Sequence, residues 1–463
     1  MTEIKSDHLE HFRSRVSGVV AKPGEAGYAE AVAIWNGVVE RRPSIVVRCT
    51  NSKDVSEAVL FAQSMSLEIS VRGGGHGFSG NALTDGGLMI DLSFMKSVSI
   101  DPVGKRATAE GGVTWGEMDA ATQKHGLAVV GGMITHTGIA GLTLGGGIGW
   151  LTTLAGLTCD NLVGAELVTA EGKVLRVSET EEPDLLWALK GGGGNFGVVT
   201  KFEYSLIEVG PTMPFAEFFW ELDRGREALN LARELIPLLP ANIAAFVASA
   251  NAPDAPFVSP ELRKKPTWIL VLVGFGDASG HAEAVARVRA AKPAIERSQR
   301  VSYLELQSMW DRTAPWGALS YEKAVHLEDL SDEVIELMMK HQPNKTAPLT
   351  FTPILVLGGA YGNIPESASA FSGSRTRERY VVNITAVCET HKQYDADREW
   401  VRTYWSDLVR YAPNSGSYVN FMSEYDADRI RAAYGPAKYE ALVDIKRRFD
   451  PRNVFHLNAN IKP

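Results

Sequence analysis

The chain has 463 residues, more than a single hydrophobic core usually organises, so two domains, or one interrupted by another, are expected. With 47 Lys and Arg against 55 Asp and Glu and no basic run, it is mildly acidic, which argues against nucleic acid or an anionic membrane and for a small-molecule partner. Cys49, Cys159 and Cys388 are odd in number and far apart, so neither a disulfide framework nor a cysteine metal site is expected, and a reducing cytoplasm fits.

The N-terminal stretch MTEIKSDHLEHFRSRV lacks the apolar run of a signal peptide, and no later segment reads as a bilayer span. From about Pro43 to Ile207, short apolar runs broken by glycine predict strands at SIVVRC, LEISVR, GLMIDLS, KRATAEGG, AELVTA and VVTKFEYSLIE. Between them DVSEAVLFAQSMS, TWGEMDAATQKHG and DLLWALK carry helical spacing. Beyond PTMPF longer helical patterns appear: REALNLARELIPLL, HAEAVARVRAA and SDEVIELMMKHQ. They alternate with strand-like TWILVLVGF, LTFTPILVLGG and RYVVNITAVC, which suggests a second domain. The end reads as a helix stopped at Asp450-Pro451 and an extended tail.

Four glycine clusters stand out: RGGGHGFSG, EGGVTWGE, GIAGLTLGGGIGW and KGGGGNFG. Each alone is explained by turn chemistry, but four together suggest a large phosphate-bearing ligand wrapped by main-chain N–H groups. Gly75, Gly77 and Gly80, and again Gly192, Gly194 and Gly197, match G-x-G-x-x-G. A dinucleotide site of the Rossmann type needs a helix after the string, and neither has one: turn residues follow the first, β-like VVTKFEYSL the second.

Together, LEISVRGGGHGFSG, GGLMIDLS, TGIAGLTLGGGIGWL, GLTCDNLVGAELVTAEG, GGGGNFGVVTKFEY, SYVNF and DPRNVFHLNANI resemble the vanillyl-alcohol-oxidase superfamily of flavoproteins, and within it the berberine-bridge-enzyme-like branch. The resemblance covers nearly the whole chain. It implies an α+β fold: a two-part FAD-binding domain (residues 1–207 and 412–463) with an inserted α+β substrate domain (208–411) built on an antiparallel sheet. It places the FAD diphosphate on the loop Arg72, Gly73, Gly74, Gly75, His76, Gly77 and Ser79, with a covalent bond from His76 to the flavin 8α-methyl. The residues alone leave open whether His76 contacts phosphate or carries the link. Gly138, Gly141, Leu142, Gly145 and Gly146 would line the cofactor, Val199 would lie near the adenine, and Asn420 and Asn458 would close over the flavin.

Departures from the family pattern carry further expectations. Doubly linked relatives have a cysteine eleven positions before the first glycine of the GGG run; counting back from Gly145 gives Ile134, so a single link is implied. Leu142 stands where those relatives have histidine. Some relatives place an acid on the strand before a Gly-Gly pair, but here TPILVLGG has no titratable group. Tyr418 matches a tyrosine that takes the substrate proton, which requires the site to lower its pKa from ~10; the alternative is packing over the flavin. Thr137 matches the position that gates oxygen. His136 is expected beside the flavin, as a titrating group or as a brace for the loop. Trp310, Trp316 and Tyr321 are expected either to line an aromatic pocket or to be core.

The implied activity is oxidation of an alcohol, sugar, amine or phenolic by hydride transfer to FAD, with oxygen reduced to hydrogen peroxide. A flavin-dependent oxygenating enzyme and a flavin-bearing electron-transfer module are the alternatives.

Overall fold

A computed structural model describes residues 6–412 and 418–463; Ser417 of the SYVNF string lies outside them. Its strands form three main sheets. The first runs Val19–Ala21, Ile45–Arg48, Leu88–Asp91, Ile69–Arg72, the last three parallel to one another. Their near-continuous apolar runs bury both faces, as parallel strands require. The helix Ser52–Ser64 packs against this sheet and starts where the Asn51 side chain accepts the Asp54 N–H.

The second sheet is antiparallel, in the order Val98–Asp101, Arg106–Glu110, Val198–Ser205, Leu162–Val168, Val174–Ser178. Val198 follows Gly197 directly as strand, so no helix opens after that G-x-G-x-x-G string. The TWGE motif becomes a capping box, with Thr114 and Glu117 opening the helix Trp115–Thr122.

The third sheet has seven antiparallel strands: Ile295–Val301, Met213–Glu221, Pro266–Gly274, Ile243–Asn251, Thr352–Val356, Tyr380–Cys388 and Leu319–Leu327. Because side chains alternate between faces, each strand serves two surroundings. On one face Trp220, Trp268, Leu270, Ile354 and Ile384 pack under the helices Gly225–Leu235, Asp332–His341 and His391–Leu408. The other face, with Phe246, Ala248 and Leu355, turns toward the glycine clusters.

The C-terminal helix Ala427–Phe449, broken at Gly435-Pro436, ends before Pro451 and packs on the second sheet with Tyr439, Leu442 and Ile461 of the tail. Its Lys446 is wholly buried, donating to Asp450 at 2.6 Å and to the carbonyls of Asn195 and Phe455. Removing one member of such a pair costs about 3–5 kcal/mol, because the other is left charged and unpaired. Asn195, from the GGGGNFG cluster, donates to the Ala459 carbonyl and accepts from the Ile461 N–H. The cluster therefore anchors the tail that carries Asn458. No helix among the described residues is long and apolar enough to cross a membrane.

Candidate active site

The glycine clusters, the C-terminal segment and the inner face of the seven-stranded sheet enclose one cavity of about 770 Å³. Its floor is the loop after Ile69–Arg72. Among the described residues, no backbone N–H from Gly74 to Ser79 donates to a protein acceptor, so a row of free donors faces the cavity. A Cβ on Gly74 would stand 2.3 Å from the Gly138 nitrogen, and one on Gly138 would stand 2.4 Å from the Gly74 nitrogen. Two glycine loops thus touch backbone to backbone, which only glycine permits. Gly77 and Gly141 have open space where a Cβ would be.

His76 lies face-on to Trp35, ring centroids 4.6 Å apart, and its Nε2 meets His136 Nδ1 at 3.1 Å. Desolvation, then the His136 charge, presses the His76 pKa down to about 3, so the ring is neutral at physiological pH. His136 is also held below the ordinary range, mainly by burial, and the Thr135 N–H beside it donates to Asp311.

Gly73, Gly74, Gly75, His76, Gly77, Ser79, Thr137, Gly138, Gly141, Leu142, Gly145, Val199, Tyr418, Asn420 and Asn458 all border the cavity, as does Ile134. Two expected residues do not. The Arg72 guanidinium turns beneath the loop, 3.5 Å from the buried Asp91 carboxylate, which it shares with Arg48, and 3.2 Å from the Ala31 carbonyl, where it braces the loop. Gly146, at φ +126°, shapes the turn; a Cβ there would strike the Phe371 ring at 2.6 Å. All three cysteines are free and buried, and none of them lines the cavity.

Of the three aromatic residues expected at a pocket, only Trp310 lines it, against Trp150 and Phe246. Trp316 is half-exposed at the edge of the His76 and His136 rings, and Tyr321 faces the helical layer, where Arg402 reaches its hydroxyl.

Tyr418 is fully buried, and its hydroxyl oxygen accepts from the Gly147 N–H at 2.7 Å and from Asn420 Nδ2 at 2.9 Å. Those donors favour the phenolate, yet burial outweighs them and raises the pKa. The lowering that base catalysis by this phenol requires is not met.

Sequence reasoning missed the polar residues of the sheet face. Glu322, Asn383 and Thr385 border the cavity at one side; Glu217, its pKa lifted to about 7 by burial, and Arg297, 3.7 Å away, border it at the other. Alternation along LSYEKAVHL, which puts Ser320, Glu322 and Ala324 on the face opposite Tyr321, was the signal available for Glu322.

The sequence matches the FAD binding domain family model over residues 43–178 and the berberine and berberine-like model over residues 417–462. (R)-6-hydroxynicotine oxidase of Paenarthrobacter nicotinovorans is 32% identical over 459 residues, 97% of each chain. The chain belongs to the berberine-bridge-enzyme-like branch of the vanillyl-alcohol-oxidase superfamily. An FAD-linked oxidoreductase of Dictyostelium discoideum is 28% identical over 98% of this chain and 97% of its own. Among solved structures, 6-hydroxy-D-nicotine oxidase from Arthrobacter nicotinovorans superposes with a TM-score of 0.84 at 29% identity, covering 97% of this chain and 98% of that one. The BBE-like 1 protein of Physcomitrella patens shares the fold, with a TM-score of 0.87 at 22% identity over 98% and 99%.

Like its berberine-bridge-enzyme-like relatives, the chain is an FAD-linked oxidoreductase with the α+β fold of that superfamily. The cavity fits the cofactor on its own evidence: free N–H donors suit a diphosphate, and buried Asn458 Oδ1 in its wall has no partner among the described residues.

Proposed function

We propose that this protein is an oxidase that carries FAD on a covalent bond to His76 and oxidises a small organic substrate, an alcohol, sugar, amine or phenolic. When bound, FAD supplies the two-electron chemistry, accepting a hydride from a substrate C–H and passing the electrons to oxygen to give hydrogen peroxide. Residues 1–207 and 412–463 form the cofactor domain in this reading, and 208–411 the substrate domain.

The observation that carries the proposal is the loop Gly74 to Ser79, whose unpaired N–H groups and neutral His76 face one cavity. A neutral imidazole is the form able to act as a nucleophile. With Nε2 engaged by His136, Nδ1 is the nitrogen left for the link. Gly138, Gly141, Leu142, Gly145 and Val199 shape the rest of the cofactor wall, while Asn420 and Asn458 approach from the C-terminal segment. Asn420 also holds the Tyr418 hydroxyl and the Leu142 carbonyl, fixing the phenol at the wall, where it orients substrate. Thr137 borders the cavity next to His136 and gates oxygen.

The test is an anaerobic screen of alcohols, sugars, amines and phenolics for bleaching of the flavin, followed by admission of oxygen and assay of peroxide. A class that bleaches the flavin and yields stoichiometric peroxide supports the reading. Incorporation of labelled oxygen into product would make the enzyme an oxygenase instead.

A further inference from the structure

Three polar atoms on the sheet face of the cavity have no partner among the described residues: Glu322 Oε1, Asn383 Oδ1 and Thr385 Oγ1. Their residues are 0%, 5% and 2% exposed, so water does not freely reach them. Glu322 stands directly opposite Thr385 in the antiparallel pairing of Leu319–Leu327 with Tyr380–Cys388, and Asn383 lies opposite Ala324, two residues along on the same face. Asn383 Nδ2 donates to Glu322 Oε2 at 2.8 Å. That bond orients both side chains and leaves the Asn383 carbonyl oxygen and Glu322 Oε1 without a partner among the described residues. The Glu322 N–H donates to Ser423 Oγ at 2.9 Å, tying this strand to the segment that bears Tyr418 and Asn420.

An unsatisfied buried polar group costs about 1–3 kcal/mol, so three on one wall call for a ligand group that completes them. Asn383 Oδ1 accepts, whereas Glu322 Oε1 donates while the carboxyl is neutral and accepts once it is ionised, so the group that completes this wall is one that both donates and accepts, a hydroxyl or an amine. Beside them the wall is apolar, formed by Phe246, Ala248, Pro353 and Leu355, which suits a hydrocarbon or aromatic body better than an oligosaccharide.

We infer that Glu322, with Asn383 and Thr385, forms the subsite for a hydroxyl or amine borne on an apolar body, and that Glu322 accepts the proton this group loses on oxidation. The inference rests on the oxidase reading above. The substrate C–H breaks with its electron pair leaving as hydride to the bound flavin. The O–H or N–H breaks with its proton passing to Glu322, and its electron pair becomes the second C–O or C–N bond. Oxygen is the terminal oxidant.

Burial holds the Glu322 carboxyl well above the usual range, with the Asn383 donor opposing. A base must be ionised to act, so flavin reduction rises with pH through the pKa of this group. The titratable groups coupled to it are Tyr418 and Tyr425, both raised by burial; Tyr425 is pushed up to about 12. Lys323 turns to the opposite face, beside Trp405 and Glu424.

The test uses holoenzyme and a substrate found by anaerobic bleaching, mixed in stopped flow so that the limiting rate of reduction and the substrate Kd are obtained separately. Glu322→Gln is expected to lower the limiting rate by ~10² to 10⁴ and to abolish its pH step, while Tyr418→Phe retains that step. Infrared difference spectra of wild type minus Glu322→Gln at neutral pH should show a protonated carboxyl band that shifts when product binds, a readout independent of turnover. Asn383→Ala, which keeps the carboxyl but removes its donor, should move the pH step upward, and it carries the test should Glu322→Gln not fold. Wild-type rate and pH profile in Glu322→Gln, or loss of the pH step in Tyr418→Phe alone, would overturn the inference while leaving the oxidase reading intact. A wild type bleached by no substrate overturns that reading and this inference with it.

Discussion

His76 and His136 meet ring nitrogen to ring nitrogen, Nε2 to Nδ1 at 3.1 Å, with both rings held below the ordinary histidine pKa by burial. If His76 is alkylated on Nδ1, its Nε2 is left as an acceptor, and His136 must donate from Nδ1. The pair then fixes one tautomer and one ring orientation, as an orienting partner does for a nucleophile.

The attachment is tested by denaturing the holoenzyme in acid. Yellow flavin should stay with the precipitated wild type and be released from His76→Ala. Proteolysis should give one flavinylated peptide, containing His76; flavin on a cysteine would contradict this, since none of the three thiols lines the cavity.

His136→Leu should slow flavin incorporation into apoprotein by on the order of tenfold, about the 1.4 kcal/mol of one oriented hydrogen bond. The measurement is the time course of acid-stable flavin after FAD is added. An unchanged rate would leave His136 as a brace for the loop, beside the Thr135 to Asp311 bond.

Gly74→Ala should abolish FAD retention, because the new methyl would sit 2.3 Å from a backbone nitrogen that has no side chain to swing aside. Gly77→Ala, which meets open protein space, should fold normally and affect only the cofactor. Flavin content after gel filtration, alongside a melting curve, separates the two.

Thr137→Leu should slow reoxidation of the reduced enzyme by oxygen while sparing anaerobic reduction, since Thr137 borders the cavity and a larger apolar side chain narrows it. Stopped-flow mixing with aerated buffer measures this, and equal reoxidation rates would move the gate elsewhere.

Asp119 is fully buried, and its Oδ2 accepts from Gln307 Nε2, which also donates to the Gly132 carbonyl at the cavity wall. Burial raises its pKa to about 7. An acid whose folded pKa lies above its unfolded value of ~3.9 binds its proton more tightly when folded, so wild-type stability declines as pH rises from about 4 to 7 and then levels off. Asp119→Asn should remove that decline, its stability advantage over wild type growing across the window by a few kcal/mol at ~1.4 per pKa unit. Parallel urea midpoints for the two proteins from pH 4 to 8 would contradict this.

Much of the cavity wall was legible in the chain because its requirements are local. Where two loops meet backbone to backbone, as at Gly74 and Gly138, only glycine fits, so the glycine clusters around them stand out in the sequence. Capping at Thr114 and the helix stop at Pro451 are likewise settled by neighbours in sequence.

What the tertiary structure alone decided are relationships between residues far apart in the chain. The pairing of Arg72 with Asp91, on the adjoining parallel strand, could not be read from the RGGGH string. Tyr418 looked like a base until burial raised its pKa against two good donors. Glu322 was hidden inside SYEK because its meaning depends on which face of a strand reaches the cavity and on Asn383 coming from a different strand. Periodicity marks which residues share a face, but only the packed sheet selects which face meets the ligand, since the choice follows from burial of the other face under the helices.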